Sequence, residues 1–313
     1  MGVSVITAAY NAARFLPESI ESVLNQTIRE LELIVVDDGS TDSTVRILED
    51  YARRDPRLKI LRQHHKGVAA AANAGARHAA YDLIARIDSD DRMLPHRLER
   101  QLAFLKTNPH VDVACSNCYF INAAGKRIGA SDCRVDVGRA RRELNPALFL
   151  ELAQSTVLMR KAAFWAVGGY REDLLYAEDR DLWGRLATAG FSIACQNEFL
   201  VEFRLHAGAM TMKRAALQHE ICSYIDENVK RRFQGLPELS LAEFRLTKRR
   251  QPLLRRIRAG VGFAALHAFK KASRYYGEGR YGRCALSLAA AVSLNPAQIS
   301  RVLHRVQGHA AFP

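Results

Sequence analysis

The chain has 313 residues, 48% hydrophobic and 25% charged, with 46 Lys and Arg against 33 Asp and Glu, a formal charge of +13. That composition excludes collagenous, disordered and disulfide-framework proteins, and the length suits one large domain or two smaller ones. The excess charge is unevenly placed: from Arg214 onward there are 18 Lys and Arg against 6 Asp and Glu, so the part before it is nearly neutral. Of six cysteines, only Cys115 and Cys118 have a metal-like or redox-like spacing. They lie in or just after the strand-like Val111-Asp112-Val113-Ala114-Cys115, so they are expected as small core residues. The start, Met1-Gly2-Val3-Ser4-Val5, lacks a cationic leader, and Asn11 and Arg14 interrupt its apolar run. The longest uncharged apolar runs, Ala259–Phe269 and Cys284–Leu294, are 11 residues each, against about 20 for a membrane span. A reducing, cytoplasmic setting is expected.

The first strand reads Val3-Ser4-Val5-Ile6-Thr7. A helix then opens near Pro17, with Ile20, Val23 and Leu24 on one face. Leu33-Ile34-Val35-Val36 is too apolar for a half-exposed strand and stops at Asp37-Asp38-Gly39-Ser40-Thr41-Asp42. Those capping residues precede a helix carrying Val45, Ile47, Leu48 and Tyr51. Leu58–Leu61 is a third strand and Gly67–Ala80 an alanine-rich helix. Leu83–Ile87 is a fourth strand, running into Asp88-Ser89-Asp90-Asp91. This alternation predicts an α/β fold, a mostly parallel Rossmann-like sheet with helices on both faces. After about Lys213 the pattern turns helical, which predicts two domains, 1–212 and 213–313.

Ligands of such sheets collect at the carboxyl ends of the strands. Asp37 and Asp38 end one strand and Asp88, Asp90 and Asp91 another, so several carboxylates converge on one rim. Crowding them is unfavourable unless a cation sits among them or water solvates them. Mg²⁺ or Mn²⁺, which prefer carboxylate and phosphate oxygen, answer that need. Taken singly, each Asp-rich turn is equally well a solvated turn or helix cap.

At these residues the sequence resembles the family 2 glycosyltransferases, with their GT-A fold. The matching stretches are Val3–Thr7 running to Tyr10-Asn11, Ser22–Thr27, Glu32–Asp42 and Asn73-Ala74-Gly75. They continue through Ile87–Asp91, Val167-Gly168-Gly169-Tyr170, Glu178–Trp183 and Arg204-Leu205-His206. The resemblance implies metal-dependent transfer of a sugar, with inversion, from a nucleotide-diphosphate sugar to a hydroxyl of a glycan or lipid-linked acceptor; UDP is the commonest donor base. It implies that Asp38 reads the base and that Thr7, Ala8 and Tyr10 line the nucleotide pocket. Asp88 and Asp90 form the D-x-D pair, with Asp90 on the metal. Asp91 is a further ligand candidate, because the triplet aligns one residue either way. Asp179 matches the base, with Glu178 and Asp181 as neighbours that shift its pKa or orient its loop, and His206 matches a position that completes the metal or diphosphate site. Without the resemblance, Glu178-Asp179-Arg180-Asp181 is an ordinary acidic helix start.

The chain departs from the family in two places. Ala72 precedes Asn73 where an Arg is frequent, which leaves a diphosphate contact missing or supplied by Lys66 or Arg77; by the resemblance Asn73 itself belongs to the nucleotide-sugar site. Gln154 stands before Ser155-Thr156 where a His is frequent. Two other readings are a sugar-phosphate nucleotidyltransferase, against which Ala8-Ala9-Tyr10-Asn11 is no Gly-rich phosphate loop, and a non-catalytic adaptor on the same fold. In the extension, Lys248–Arg258 holds six basic residues in eleven. Ala264–Tyr276 and Tyr281–Leu294 read as a helical hairpin turning at Gly277 and Gly279. The tail is either a solvated appendage or a docking surface for anionic lipid at the cytoplasmic face of the inner membrane; nucleic acid is disfavoured, since no recognition module accompanies the charge.

Overall fold

The structure, a computed structural model, describes residues 1–131, 133, 135–209, 214–297 and 299. The boundary expected at 212 and 213 lies outside the described residues, as does the end of the extension from 300 onward. The chain divides into two compact units, residues 1–118 with 133–203 and residues 119–132 with 204–313.

In the first unit, β1 (Val3–Ala9), β2 (Leu31–Asp37), β3 (Leu58–Arg62) and β4 (Leu83–Arg86) pair in parallel in the order β3-β2-β1-β4. All seven residues of β2 are buried, Glu32 and Asp37 included, as a strand with the apolar centre Leu33–Val36 and covered on both faces should be. The crossovers are α1 (Leu16–Leu24), with Pro17 in its first turn, α2 (Thr44–Arg54) and α3 (Val68–His78). The chain steps outward through β2 and β3 and then returns past β1 to β4. Right-handed crossovers therefore place α1 and α2 on one face and α3 on the other. Helix α3 lies close on β1 because Gly75 has no side chain: a Cβ there would stand 2.6 Å from Cγ2 of Ile6.

Beyond β4 the sheet is mixed, which the sequence pattern did not reveal. Strand β8 (Leu158–Arg160) pairs antiparallel to β4 and to β6 (Val113–Ile121), and β9 (Ile193–Arg204) pairs antiparallel to β5 (Arg92–Met93). The full order is β3-β2-β1-β4-β8-β6-β9-β5. Winding reverses between β1 and β4, and the crevice beyond their carboxyl ends is where a doubly wound sheet takes a ligand.

In the second unit, β7 (Arg127–Ala130) pairs with the end of β6, and among the described residues four helices follow: α8 (Ala215–Phe233), α9 (Leu241–Arg250), α10 (Leu253–Gly277) and α11 (Tyr281–Leu294). The expected helix from Ala264 is the second half of one 25-residue helix that starts straight after Pro252. The basic run thus joins the last turn of α9 to the first turns of α10. Gly279, at φ +71°, makes the hairpin turn, and Ala265, Ala291 and Ile299 form its buried centre. Among the described residues no helix is long and apolar enough to cross a membrane.

Candidate active site

The loop after β1 and the turn after β2 are knitted together. Asn11, at φ +49°, accepts N–H bonds from Thr41 (2.8 Å) and Asp42 (3.3 Å) on its Oδ1, and its own N–H donates to Ser40 Oγ at 2.9 Å. Asn is one of the few residues that tolerate this left-handed backbone. Asp38 is buried, and its carboxylate gathers the following loop. Oδ1 accepts from Gln63 Nε2 (2.6 Å) and the Lys66 N–H (2.8 Å), while Oδ2 accepts the Gly67 N–H (2.8 Å) and lies 2.8 Å from His65 Nδ1. The His65 ring stacks on Tyr10 at 4.1 Å, and Tyr10 is about half exposed. Thr7 is buried beneath them.

The turn after β4 is held by residues far along the chain. Arg86, buried, reaches Asp88 Oδ1 (3.3 Å), and Gln154 Nε2 donates to the same oxygen (3.2 Å). Ser155 Oγ accepts the Asp88 N–H (3.0 Å) and donates to Asp91 Oδ2 (2.5 Å). Ser19 of α1 donates to the Asp88 carbonyl (3.2 Å). Asp91 is thereby turned inward and buried, opposite the charge of Arg97 on α4 (Arg97–Thr107). Asp88 and Asp90 stay half-buried. Burial raises the Asp88 pKa, Arg86 opposes it and Asp90 adds to it.

Helix α7 (Glu178–Thr188) brings the third set. Burial and then the charge of Asp88 push Asp179 up to about 6, against the pull of the Arg180 N–H on its Oδ1 (2.7 Å). Burial and the charge of Asp179 push Glu178 up to about 8. Asp88, Glu178 and Asp179 thus feel one another's charge at one locus, between strand end and helix start. The buried Tyr170 phenol shares that locus and is raised by burial, with Glu178, Asp179 and Asp88 adding to the rise. Its ring centre lies 6.0 Å from the Arg86 guanidinium. Among the described residues, Tyr170 Oη, Trp183 Nε1, Gln154 Oε1 and Arg86 Nε are buried and find no hydrogen-bond partner. Trp183 is one turn beyond Asp179 on the same helix face. Unmet buried donors and acceptors on this scale are costly, and their clustering marks a place shaped for a polar ligand.

The family described as glycosyl transferase family 2 matches residues 4–168. The chain belongs to that family. It is a glycosyltransferase, which sets aside the nucleotidyltransferase and the non-catalytic adaptor. The putative glycosyltransferase EpsE of Bacillus subtilis is 35% identical over 223 residues, 70% of this chain and 78% of EpsE. The chondroitin synthase of Escherichia coli is 27% identical over 227 residues, 70% of this chain but only 31% of the synthase. Among solved structures, S. aureus TarS 1-349 in complex with UDP-GlcNAc superposes with a TM-score of 0.63 at 18% identity, covering 94% of this chain and 92% of TarS 1-349. The mannosyltransferase PcManGT from Pyrobaculum calidifontis, in complex with GDP-Man and Mn²⁺, gives 0.55 at 16% identity, covering 96% and 78%. The fold is GT-A.

Within this glycosyltransferase the structure brings Asp88, Asp179 and Glu178 together, and keeps Asp90 on the same turn. Asp181 is engaged elsewhere: Arg185 Nε sits 2.7 Å from it and Arg171 3.6 Å. The same Arg185 donates to the Val167 and Gly169 carbonyls, so Asp181 orients the loop before α7. Asn73 is buried with both ends of its amide on that loop, Nδ2 donating to the Tyr170 carbonyl (2.9 Å) and Oδ1 accepting the Tyr170 N–H (2.9 Å). Gly169, at φ +68°, leaves room for this: a Cβ would stand 2.8 Å from Asn73 Oδ1. Lys66 contributes its N–H to Asp38 and its side chain is exposed. Ala8 is half-buried. His206 follows β9 and belongs to the second unit. Sequence reasoning missed Arg86, Ser155, Tyr170 and Trp183 as site residues. Arg86, an arginine in the apolar strand Leu83–Ile87, was the one visible signal.

Proposed function

We propose that this glycosyltransferase moves a sugar from a nucleotide-diphosphate donor, a UDP-sugar first among them, to a hydroxyl of a glycan or lipid-linked acceptor. The observation that carries this reading is the meeting of the Asp88–Asp90 turn with Asp179 at the fold's switch point. The donor set suits a hard divalent cation such as Mg²⁺ or Mn²⁺: two half-buried carboxylates on one turn, with Asp88 raised by burial and by the charge of Asp90. Asp88 and Asp90 would hold it, whereas Asp91 is committed to Ser155. A bound cation would offset the negative charge growing on the departing diphosphate without a proton.

The chain's own residues supply the rest. Asp38 keeps its carboxylate in register through the two backbone N–H groups, and a base N–H would replace Gln63 or His65 as its side-chain donor. Tyr10 over His65 offers a stacking face, and Thr7 and Ala8 form its floor. Asp179, with its pKa about 6, is ionised at neutral pH and basic enough to take the acceptor's hydroxyl proton. Glu178 holds its own proton at that pH, which spares the site a second charge. Direct displacement by that oxygen, opposite the leaving diphosphate, inverts the anomeric carbon. The exposed Leu253, Leu254 and Ile257 among Arg255, Arg256 and Arg258 support docking of the second unit on anionic lipid at a cytoplasmic leaflet.

A thermal-shift panel of nucleotide sugars, with and without Mn²⁺, tests the donor reading. One nucleotide family should stabilise the wild type only with the metal, and Asp90→Ala should remove the shift. Stabilisation of neither protein, or of both equally, would sink it.

A further inference from the structure

Three cysteines that the sequence keeps apart meet in the first unit. The sulfurs of Cys115, Cys133 and Cys195 all lie within 4.8 Å of one another, and Cys115 and Cys133 are 3.7 Å apart. Cys115 stands on β6 and Cys195 on its neighbour β9. Two residues further on, on the same faces, Asn117 and Asn197 bond to each other through Nδ2 and Oδ1 (3.1 Å). Asn117 Oδ1 also accepts the Cys133 N–H (2.6 Å), and that bond sets the third thiol over the other two. Cys118, an odd number of residues from Cys115, falls on the opposite face of the strand, so the C-x-x-C spacing is not the chemical unit.

We propose that Cys115, Cys133 and Cys195 form a binding site for one thiophilic divalent ion, Zn²⁺, held by three thiolates with a solvent molecule as fourth ligand. Zn–S bonds of about 2.3 Å in a tetrahedron place sulfurs about 3.8 Å apart, the Cys115–Cys133 separation already present. The remaining edges close with side-chain rotations of about an ångström. Cys115 is buried while Cys133 and Cys195 are half-buried, which leaves a route for the ion and a face for the solvent ligand. Binding exchanges three S–H protons for three Zn–S bonds, so three protons leave and the centre carries one negative charge. Asn117 acts on the centre by fixing the backbone of Cys133, as outer-shell groups do at metal sites. The ion would staple the stretch around Cys133 to the sheet, upstream of Gln154 and Ser155.

The test is a Co²⁺ titration of the untagged full chain, stripped with a chelator. The result expected is one equivalent bound with the intense ligand-field bands of a tetrahedral thiolate centre, bleached by Zn²⁺. Cys133→Ser and Cys195→Ser should each abolish the bands, and Cys284→Ser should keep them. No bands, or bands that survive in Cys133→Ser, overturn the proposal. If a variant fails to fold, peptide-resolved alkylation of the wild type decides. One equivalent of Zn²⁺ should slow modification of Cys133 and Cys195 by about tenfold or more, leaving Cys284 unchanged. Unslowed alkylation, or a Cys115–Cys133 disulfide formed under mild oxidant with Zn²⁺ present, refutes it.

Discussion

Replacing Asp179 by Asn separates chemistry from folding. Asparagine keeps an Oδ1 to accept the Arg180 N–H, which Asp179 binds at 2.7 Å, and removes only the ability to take a proton. General-base catalysis contributes about 10²–10⁴-fold, so release of nucleoside diphosphate from the donor should fall by that factor at pH 7.5. In the wild type, kcat/KM should drop about tenfold per pH unit below the Asp179 pKa of about 6, and that limb should vanish from the residual rate of the variant. Stability moves the other way. The folded pKa is raised above the unfolded value, so the fold disfavours the ionised form: the penalty is absent at low pH, grows between 3.8 and about 6, and is complete above. Two pKa units set a ceiling of about 3 kcal/mol, which partial exposure reduces to about 1 kcal/mol. Asp179→Asn should therefore melt about 2 °C higher at pH 7.5 by calorimetry. A rate within about threefold of wild type, or a lower Tm at pH 7.5, would refute the reasoning.

Glu178→Gln copies the protonated form that Glu178 holds at neutral pH, so activity at pH 7 should stay within about threefold while any inflection near pH 8 disappears from the pH–rate profile. Ser155→Ala removes the donor to buried Asp91 and the acceptor of the Asp88 N–H. It should cost about 1–3 kcal/mol in denaturant titration and raise donor KM more than it lowers kcat. Combined Arg255→Glu, Arg256→Glu and Arg258→Glu should weaken binding to phosphatidylglycerol vesicles in sedimentation by about a hundredfold or more, at about 1 kcal/mol per basic residue, without changing donor binding.

The parallel half of the fold was legible because each strand there is a closed apolar run ended by capping residues, and helical crossovers impose the period of 3.6 between them. The mixed remainder of the sheet was not. Leu158–Arg160 and Arg92–Met93 are too short to show a period, and their pairing is set by partners distant in the chain. For the same reason residues 119–132 joined the second unit without a local signal. At the site, the carboxylates could be found because strand ends are where the chain must turn and ligands gather. Their supports could not: Ser155 and Gln154 act on Asp88 and Asp91 through folds of the backbone that no spacing records. Asn73 illustrates the limit most plainly: the resemblance puts it in the nucleotide-sugar site, and no spacing records that its amide is bonded at both ends to the Tyr170 backbone. Cys115 matched a C-x-x-C pattern, yet its neighbours in space are Cys133 and Cys195.

The central claim is that the Asp88–Asp90 turn and a nucleotide diphosphate together hold a divalent cation. Electron paramagnetic resonance of free Mn²⁺ measures this directly. Wild type with UDP should remove about one equivalent of the free-ion signal, and far less without nucleotide, because a nucleotide-bridged metal needs both partners. Asp90→Ala with UDP should leave the signal near that of UDP alone. Equal Mn²⁺ uptake by wild type and Asp90→Ala, or uptake indifferent to nucleotide, would contradict the account.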